Sequence, residues 1–182
     1  MNQSETITKF DAALRQLDTA LYLWINDLDG VSIVTLAASS HQIVHDLNQK
    51  AGGEDLFFDT LNIKDEYRRD FVRLLKAPWN FFKHSEKESL TDTIEVREDS
   101  VLMFFLFSIK GLVQLGHSPS GLCVIFLLWY GIHFPETVRC QERFRADFQI
   151  NEEREGHLRT LSKTEFLNEV MAASYLFSPT YP

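Results

Sequence analysis

From Ile7 the apolar positions Ile7, Phe10, Leu14, Leu17, Leu21, Trp24 and Leu28 advance in alternating steps of three and four. That rhythm draws one narrow stripe along a helix, suited to packing against one or two partner helices. Ser4 stands as its N-cap and Asp29-Gly30 as its stop. Residues 31–49 carry a second stripe, Ile33, Leu36, Ser40, Ile43 and Leu47, kept slim by Ala37, Ala38 and Ser39. So short a connection predicts an antiparallel hairpin over residues 4–49, ended by Gly52-Gly53.

Leu56-Phe57-Phe58 reads as a short helix or packed loop, and a helix over 62–76 is expected to bury Tyr67, Phe71, Leu74 and Leu75. Pro78 then interrupts, leaving 79–84 as a separate short helix or a kinked continuation. Residues 85–99 are polar and loop-like, with Thr93-Ile94-Glu95-Val96 alternating enough for a brief extended piece. Two strongly apolar helices follow at 100–116 and 119–133. Lys110, Gln114, His117 and the Ser118-Pro119-Ser120-Gly121 turn cut this region into runs too short to span a bilayer, so no membrane insertion is expected. His117 and His133 end these two helices and read as caps. Crowded aromatics (Phe104, Phe105, Phe107, Phe126, Trp129 and Tyr130) predict a central helix pair with part of its surface closing a homodimer. After Pro135 an amphipathic stretch carries Val138, Phe144 and Phe148, and residues 151–159 read as charged and exposed. Ser162-Lys163-Thr164-Glu165 is a capping box opening a last helix with Phe166, Val170, Ala173 and Phe177 on one face.

The pattern as a whole predicts an all-α, single-domain helical bundle of about six or seven helices over 1–182. Its parts are the 4–49 hairpin, a basic 62–87 segment, apolar core helices in 100–134 and C-terminal helices in 135–177. No internal repeat or low-complexity tract is visible. Composition agrees: 182 residues, 45% hydrophobic and 24% charged, with only 8 Gly and 5 Pro, fit one compact domain. A net charge of -8 disfavours a surface that grips phosphate backbones all over. Cys123 and Cys140 form no metal knuckle or disulfide framework, which points to a reducing cytoplasm. The first residues lack a basic n-region, so no secretory signal is expected.

One stretch reverses the acidic balance. Residues 64–87 hold seven cations against four carboxylates, leaving -11 for the rest of the chain. Arg69, Arg73, Lys76 and Asn80 follow helical spacing and lead to Lys83 and His84, so one face is cationic with a titratable end. Such a face can receive an anion: a phosphate, an acidic protein or RNA. The competing reading is a solvated charged face with i,i+4 pairs such as Asp65 with Arg69.

Leu14-Arg15-Gln16-Leu17-Asp18-Thr19-Ala20, then Thr35-Leu36-Ala37-Ala38, then Asn80-Phe81-Phe82-Lys83-His84 resemble a group of small, uncharacterised all-α bacterial proteins. The likeness covers most of residues 10–88. It implies the fold and a site around the Asn-Phe-Phe-Lys-His run, but no activity. A looser resemblance is to the HEPN superfamily of helical ribonucleases and defence-system proteins, whose motif pairs an Arg with a His four to six residues later. It implies metal-independent chemistry in which Arg stabilises charge on phosphate and His is acid or base, with Arg73, Asn80 and His84 as the catalytic candidates. The chain departs from that motif: Arg73 precedes His84 by ten intervening residues, and neither Arg139 nor Arg154 has a suitably spaced His. His84 and Asn80 also have structural readings, as a helix C-terminal cap and a backbone partner near Pro78.

His41 and His45, four apart on a helix, present both rings on one face and suit a metal if His84, Asp46 or Glu54 supplies a further ligand. No metalloprotease or di-iron motif, nucleophile elbow, phosphate loop or dinucleotide fingerprint occurs. Cys123 reads as a core residue, and Cys140, between Arg139 and Arg143, as a thiol without a nearby His. The function expected is therefore a helical binding or scaffold protein, without a cofactor, whose Arg69, Arg73, Lys76, Asn80, Lys83 and His84 face receives an anionic partner. The alternatives are a HEPN-like metal-independent ribonuclease, or an inactive relative in a defence or toxin system, and a metal or small-ligand binding protein using His41 and His45.

Overall fold

The computed structural model describes residues 4–53, 56, 63–84, 89 and 91–173, and its regular elements there are helical. In chain order these are α1 (Lys9–Ile25), α2 (Gly30–Lys50), α3 (Asp65–Lys83), α4 (Glu98–Gln114), α5 (Gly121–His133), a 3-10 turn (Pro135–Thr137), α6 (Gln141–Asp147), α7 (Glu152–Arg159) and α8 (Lys163–Ala172). The all-α class is as expected. Cα packing separates two compact units: the chain up to Pro119 without Ile25–Asp27, and Ser120 onward together with Ile25–Asp27.

The helix starts follow side-chain caps. α1 begins at Thr8 rather than Ser4, because Thr8 and Asp11 cap reciprocally: the Thr8 N–H donates to Asp11 Oδ2 (3.1 Å) and the Asp11 N–H to Thr8 Oγ1 (3.0 Å). Asp29 opens α2 instead of ending α1, since its carboxylate accepts from the Ser32 N–H at 2.8 Å. Hydrogen bonding from Ser32, its side chain first and then this backbone N–H, holds the Asp29 carboxyl below its ordinary range. The chain turns between α1 and α2 through Asp27 in the left-handed region (φ 50), a conformation Asp tolerates better than most residues. Ser120 caps α5, Asn151 caps α7, and the capping box of Ser162 and Glu165 opens α8 as the sequence predicts.

In the first unit the core sits between α2 and α4. Ile33, Val34, Ala37, Ala38 and Val44 of α2 are buried, as are Val101, Leu102, Phe104, Phe105, Ile109 and Leu112 of α4. Their approach is close at Gly111, where a Cβ would stand 2.4 Å from Val44 Cγ1 and 2.9 Å from Leu56 Cδ1. Ser40 Oγ, fully buried, donates to the Ala13 carbonyl of α1 at 2.8 Å. Trp24 donates from Nε1 to Glu98 at the start of α4 (3.0 Å) and meets Phe105 edge-on.

The structure decides or corrects several expectations. At Pro78 the continuation is the alternative found: α3 runs through it to Lys83, with no separate helix after it. The proline removes the backbone donor for the Leu74 carbonyl, and Leu74 lies on the exposed side of the helix, where that loss is tolerated. Of the residues α3 is expected to bury, only Leu75 is buried, while Tyr67 and Leu74 stand 58% and 68% exposed. Residues 151–159 are charged and mostly exposed as expected, but they form α7, which buries Leu158 and Glu155. Thr93 to Val96 is exposed and irregular, and Phe57, Phe58 and Phe177 lie outside the described residues.

In the second unit α5 contributes buried Cys123, Ile125, Phe126, Leu128, Trp129 and Ile132, with Phe166 and Val170 of α8. Gly131 admits the Phe144 ring of α6, whose Cε2 lies 2.3 Å from where a Cβ would be. Gly111→Ala should overpack the α2–α4 contact, with an expected loss of about 1–3 kcal/mol in urea-unfolding stability; Gly121→Ala, where a Cβ meets nothing within 4 Å, serves as the control and should change little.

Candidate functional site

α3 is held to α2 by three side chains that the helix repeat places together. Leu75 is buried, Trp79 one turn later donates from Nε1 to Ser39 Oγ (3.0 Å), and Lys76 Nζ donates to Gln42 Oε1 (2.9 Å). At the other end Arg68 Nε donates to the Ile63 carbonyl (2.9 Å) and pairs with Asp65. These contacts fix which arc of α3 faces solvent.

The candidate anion-binding residues lie on that outer arc. Arg69, Arg73, Asn80, Lys83 and His84 are exposed, whereas Lys76 is half-buried. Burial pushes the Lys76 ammonium below its ordinary value, and Asp46 partly opposes this. Lys83 Nζ sits 3.5 Å from the Trp79 ring centroid, so the aromatic that anchors α3 also steadies a cation at its surface. Arg73 pairs with Asp70 at 3.2 Å, an exposed contact that solvent weakens. Arg69, Arg73, Asn80, Lys83 and His84 therefore form an open ridge, with Lys76 bound to Gln42 of α2 at its side. His84 is the helix C-cap, its backbone N–H donating to the Asn80 carbonyl at 3.0 Å. Among the described residues, no hydrogen bond or ion pair joins the His84 imidazole to an arginine.

His41 and His45 occupy the inner side of α2. His41 is fully buried and His45 nearly so, their ring centroids 6.2 Å apart. His41 Nδ1 faces Ser108 Oγ of α4 at 3.5 Å, beside the Phe104 ring. The Gln49 amide nitrogen lies 3.3 Å from His45 Nε2, which makes that nitrogen the acceptor; Nδ1 lies 3.5 Å from Asp46 Oδ1. Among the described residues no group of three His, Cys, Asp or Glu side chains is placed to hold a metal; Glu54 lies outside them. Sequence reading missed Ser108 and Asn48, which complete this buried polar seam. Asn48 Nδ2 is buried without a hydrogen-bond partner among the described residues, under the backbone of Gly53. A polar residue breaking an otherwise apolar stripe is the signal for both.

The second unit holds ion clusters that the sequence reading did not single out. Glu155, almost fully buried, accepts from Arg145 Nε (2.7 Å) and Arg159 (2.6 Å), while Arg159 Nε caps the Ile132 carbonyl of α5 (2.9 Å). Arg154 and His157 of α7 both reach Glu169 of α8, the latter at 2.9 Å. His133 Nδ1 lies 2.8 Å from the Trp129 carbonyl, as a helix cap does, whereas His117 stacks on Phe10 at 3.9 Å between centroids. Cys123 is buried and Cys140 exposed, both as free thiols.

Compared with family models, curated proteins and solved structures, the chain finds no match. No helix among the described residues is long and apolar enough to cross a membrane.

Hydrogen bonding from His157, with Arg154 beside it, holds the Glu169 carboxyl below its ordinary value of 4.5. A carboxyl depressed in the folded state adds stability above its unfolded pKa and loses it as pH falls through the folded one. The acid limb of a thermal-melt series below pH 4.5 should therefore be shallower in Glu169→Gln than in the wild type. Parallel limbs would show that this cluster does not couple to folding.

Proposed function

We propose that the protein is a helical binding module that receives an acidic protein partner on the outer ridge of α3. The observation that carries this reading is the joint exposure of Arg69, Arg73, Asn80, Lys83 and His84 along one line of one helix. Within 71–84 no carboxylate interrupts the cations, while the chain as a whole carries -8. An open ridge suits an extended acidic segment better than a small anion, which needs donors converging from several sides. The acidic surface elsewhere disfavours a long phosphate backbone, so an acidic protein fits better than RNA. We read α1 and α2 as a hairpin within a helical bundle, a rigid mount for α3, in a cytoplasm that keeps Cys140 reduced. Cleavage in the HEPN manner has less support, because His84 stands in no arginine-lined cleft of the described residues.

Binding of a fluorescein-labelled poly-glutamate peptide, followed by anisotropy at low salt, tests the reading. Arg69→Ala/Arg73→Ala/Lys83→Ala should bind about tenfold more weakly, as three rim charges of roughly 0.5 kcal/mol each imply, with an unchanged melting temperature. Equal binding by the triple variant would remove the basis for the ridge. A single-stranded RNA that binds more tightly than the peptide, and loses binding in the same variant, would transfer the site to nucleic acid.

A further inference from the structure

The buried polar seam of the first unit puts a titratable group inside a contact that has no room to adjust. His41 is fully buried, its ring 6.2 Å from that of His45 and beside Phe104, with Nδ1 3.5 Å from Ser108 Oγ of α4. Three residues along α2, Val44 stands against Gly111 of α4, where a Cβ would lie 2.4 Å from Val44 Cγ1. A neutral imidazole suits this place, since Ser108 can satisfy Nδ1 while the ring packs as an aromatic. An imidazolium does not: it brings a full charge into an apolar contact whose neighbours cannot move apart to let water in. Histidine is the side chain whose charge changes between about pH 5 and 8, so mild acid acts on the fold here.

The charges around the seam decide where a proton can be accommodated. On α2 itself Asp46 Oδ1 lies 3.5 Å from His45 Nδ1, so a proton on His45 has a counter-ion at the exposed end of the seam. Asp46 also accepts from Gln42 (2.8 Å), which accepts in turn from Lys76 of α3 (2.9 Å). α4 turns Ser108 and Phe104 to His41, and its own charges are engaged elsewhere: Glu98 with Trp24, Asp99 with Arg97, and Lys110 over the Phe107 ring. α1 meets α2 at Ser40 through the Ala13 carbonyl, with Asp11 bonded to Thr8 and Arg15 to Glu5. Asp46 thus serves His45, and His41 lies one turn further in. A charge on His45 makes a second one on His41 less favourable still, because like charges inside a core repel.

We propose that the α2–α4 contact is an acid-opened latch, closed while His41 is neutral and opened by a proton on its ring. The opened chain binds that proton at the ordinary histidine value of about 6.5, whereas the closed form excludes it. Stability is therefore complete above that value and falls as pH drops below it. Ser39 and Gln42 of the same helix hold Trp79 and Lys76, so opening α2 also loosens α3. None of this depends on what the ridge of α3 receives.

Hydrogen exchange of the α2 and α4 amides in the full chain, followed from about pH 7 to pH 5, tests the latch. In the wild type their opening constant should rise about tenfold per pH unit below about pH 6, the slope of one proton. His41→Gln should lose about one proton from that slope. His45→Gln should keep most of it, since the charge of His45 is met by Asp46. Even if His41→Gln does not fold, proton NMR of the wild type decides: the His41 ring should hold its neutral shift in the closed protein down to about pH 5 and titrate near about 6.5 in urea. Three results would each overturn the proposal. They are a His41 ring that titrates near about 6.5 in the closed protein, α2 and α4 protection indifferent to pH, and a folded His41→Gln with the wild-type slope.

Discussion

The close approach of α2 and α4 is the constraint on which the first unit rests. Small residues attend it: Ser108 and Gly111 on α4 meet His41 and Val44 of α2, whose Ala37 and Ala38 are buried too. At Gly111 the contact with Val44 and Leu56 leaves no room for one more carbon. Interiors packed this tightly respond to a single methylene because neighbours cannot move independently. The same proximity lets His41 of α2 and Ser108 of α4 face each other inside the core. A buried polar pair contributes little net stability when satisfied but is costly when broken, so it selects one register of α2 against α4.

From that register follows the orientation of α3. α2 offers its inner side to α4 and, on a neighbouring side, Ser39 and Gln42 to Trp79 and Lys76. Trp79 is thereby committed twice, through its N–H to Ser39 and through its ring to Lys83. Lys76, drawn partly out of solvent, is the one member of the basic stripe that serves the fold first. The other cations face outward because the anchoring residues share the opposite side of the helix. The exposed ridge on this helix is a consequence of how few of its side chains packing needs.

That economy explains what the sequence could and could not reveal. α8 was legible because its apolar periodicity and its capping box at Ser162 and Glu165 agree. Periodicity also located α3, but it could not say which of two apolar lines is buried: Tyr67-Leu74-Phe81 and Leu75-Trp79-Phe82 have the same spacing rules. Only the bonds to Ser39 and Gln42, more than thirty residues distant in sequence, decide between them. Pro78 left two outcomes open for a related reason. Its cost depends on whether the carbonyl one turn earlier can find another donor, and that is a property of Leu74's exposure rather than of the local sequence. The ridge itself was legible residue by residue, since charged side chains at helical spacing need no tertiary information to share a face.

The charged clusters of the second unit show the converse. Glu155 lies in a run, 152–159, so polar that periodicity assigns it to solvent, yet it is one of the most buried charged groups described. Two guanidiniums, Arg145 from α6 and Arg159 from its own helix, make that burial tolerable by satisfying both carboxylate oxygens. A buried carboxylate without them would be expensive enough to expel the helix. Arg159 then extends the chain of contacts to the free carbonyl of Ile132 near the end of α5. The core of this unit thus uses charge where α5 runs out of apolar partners, a solution visible only when residues far apart in sequence are brought together.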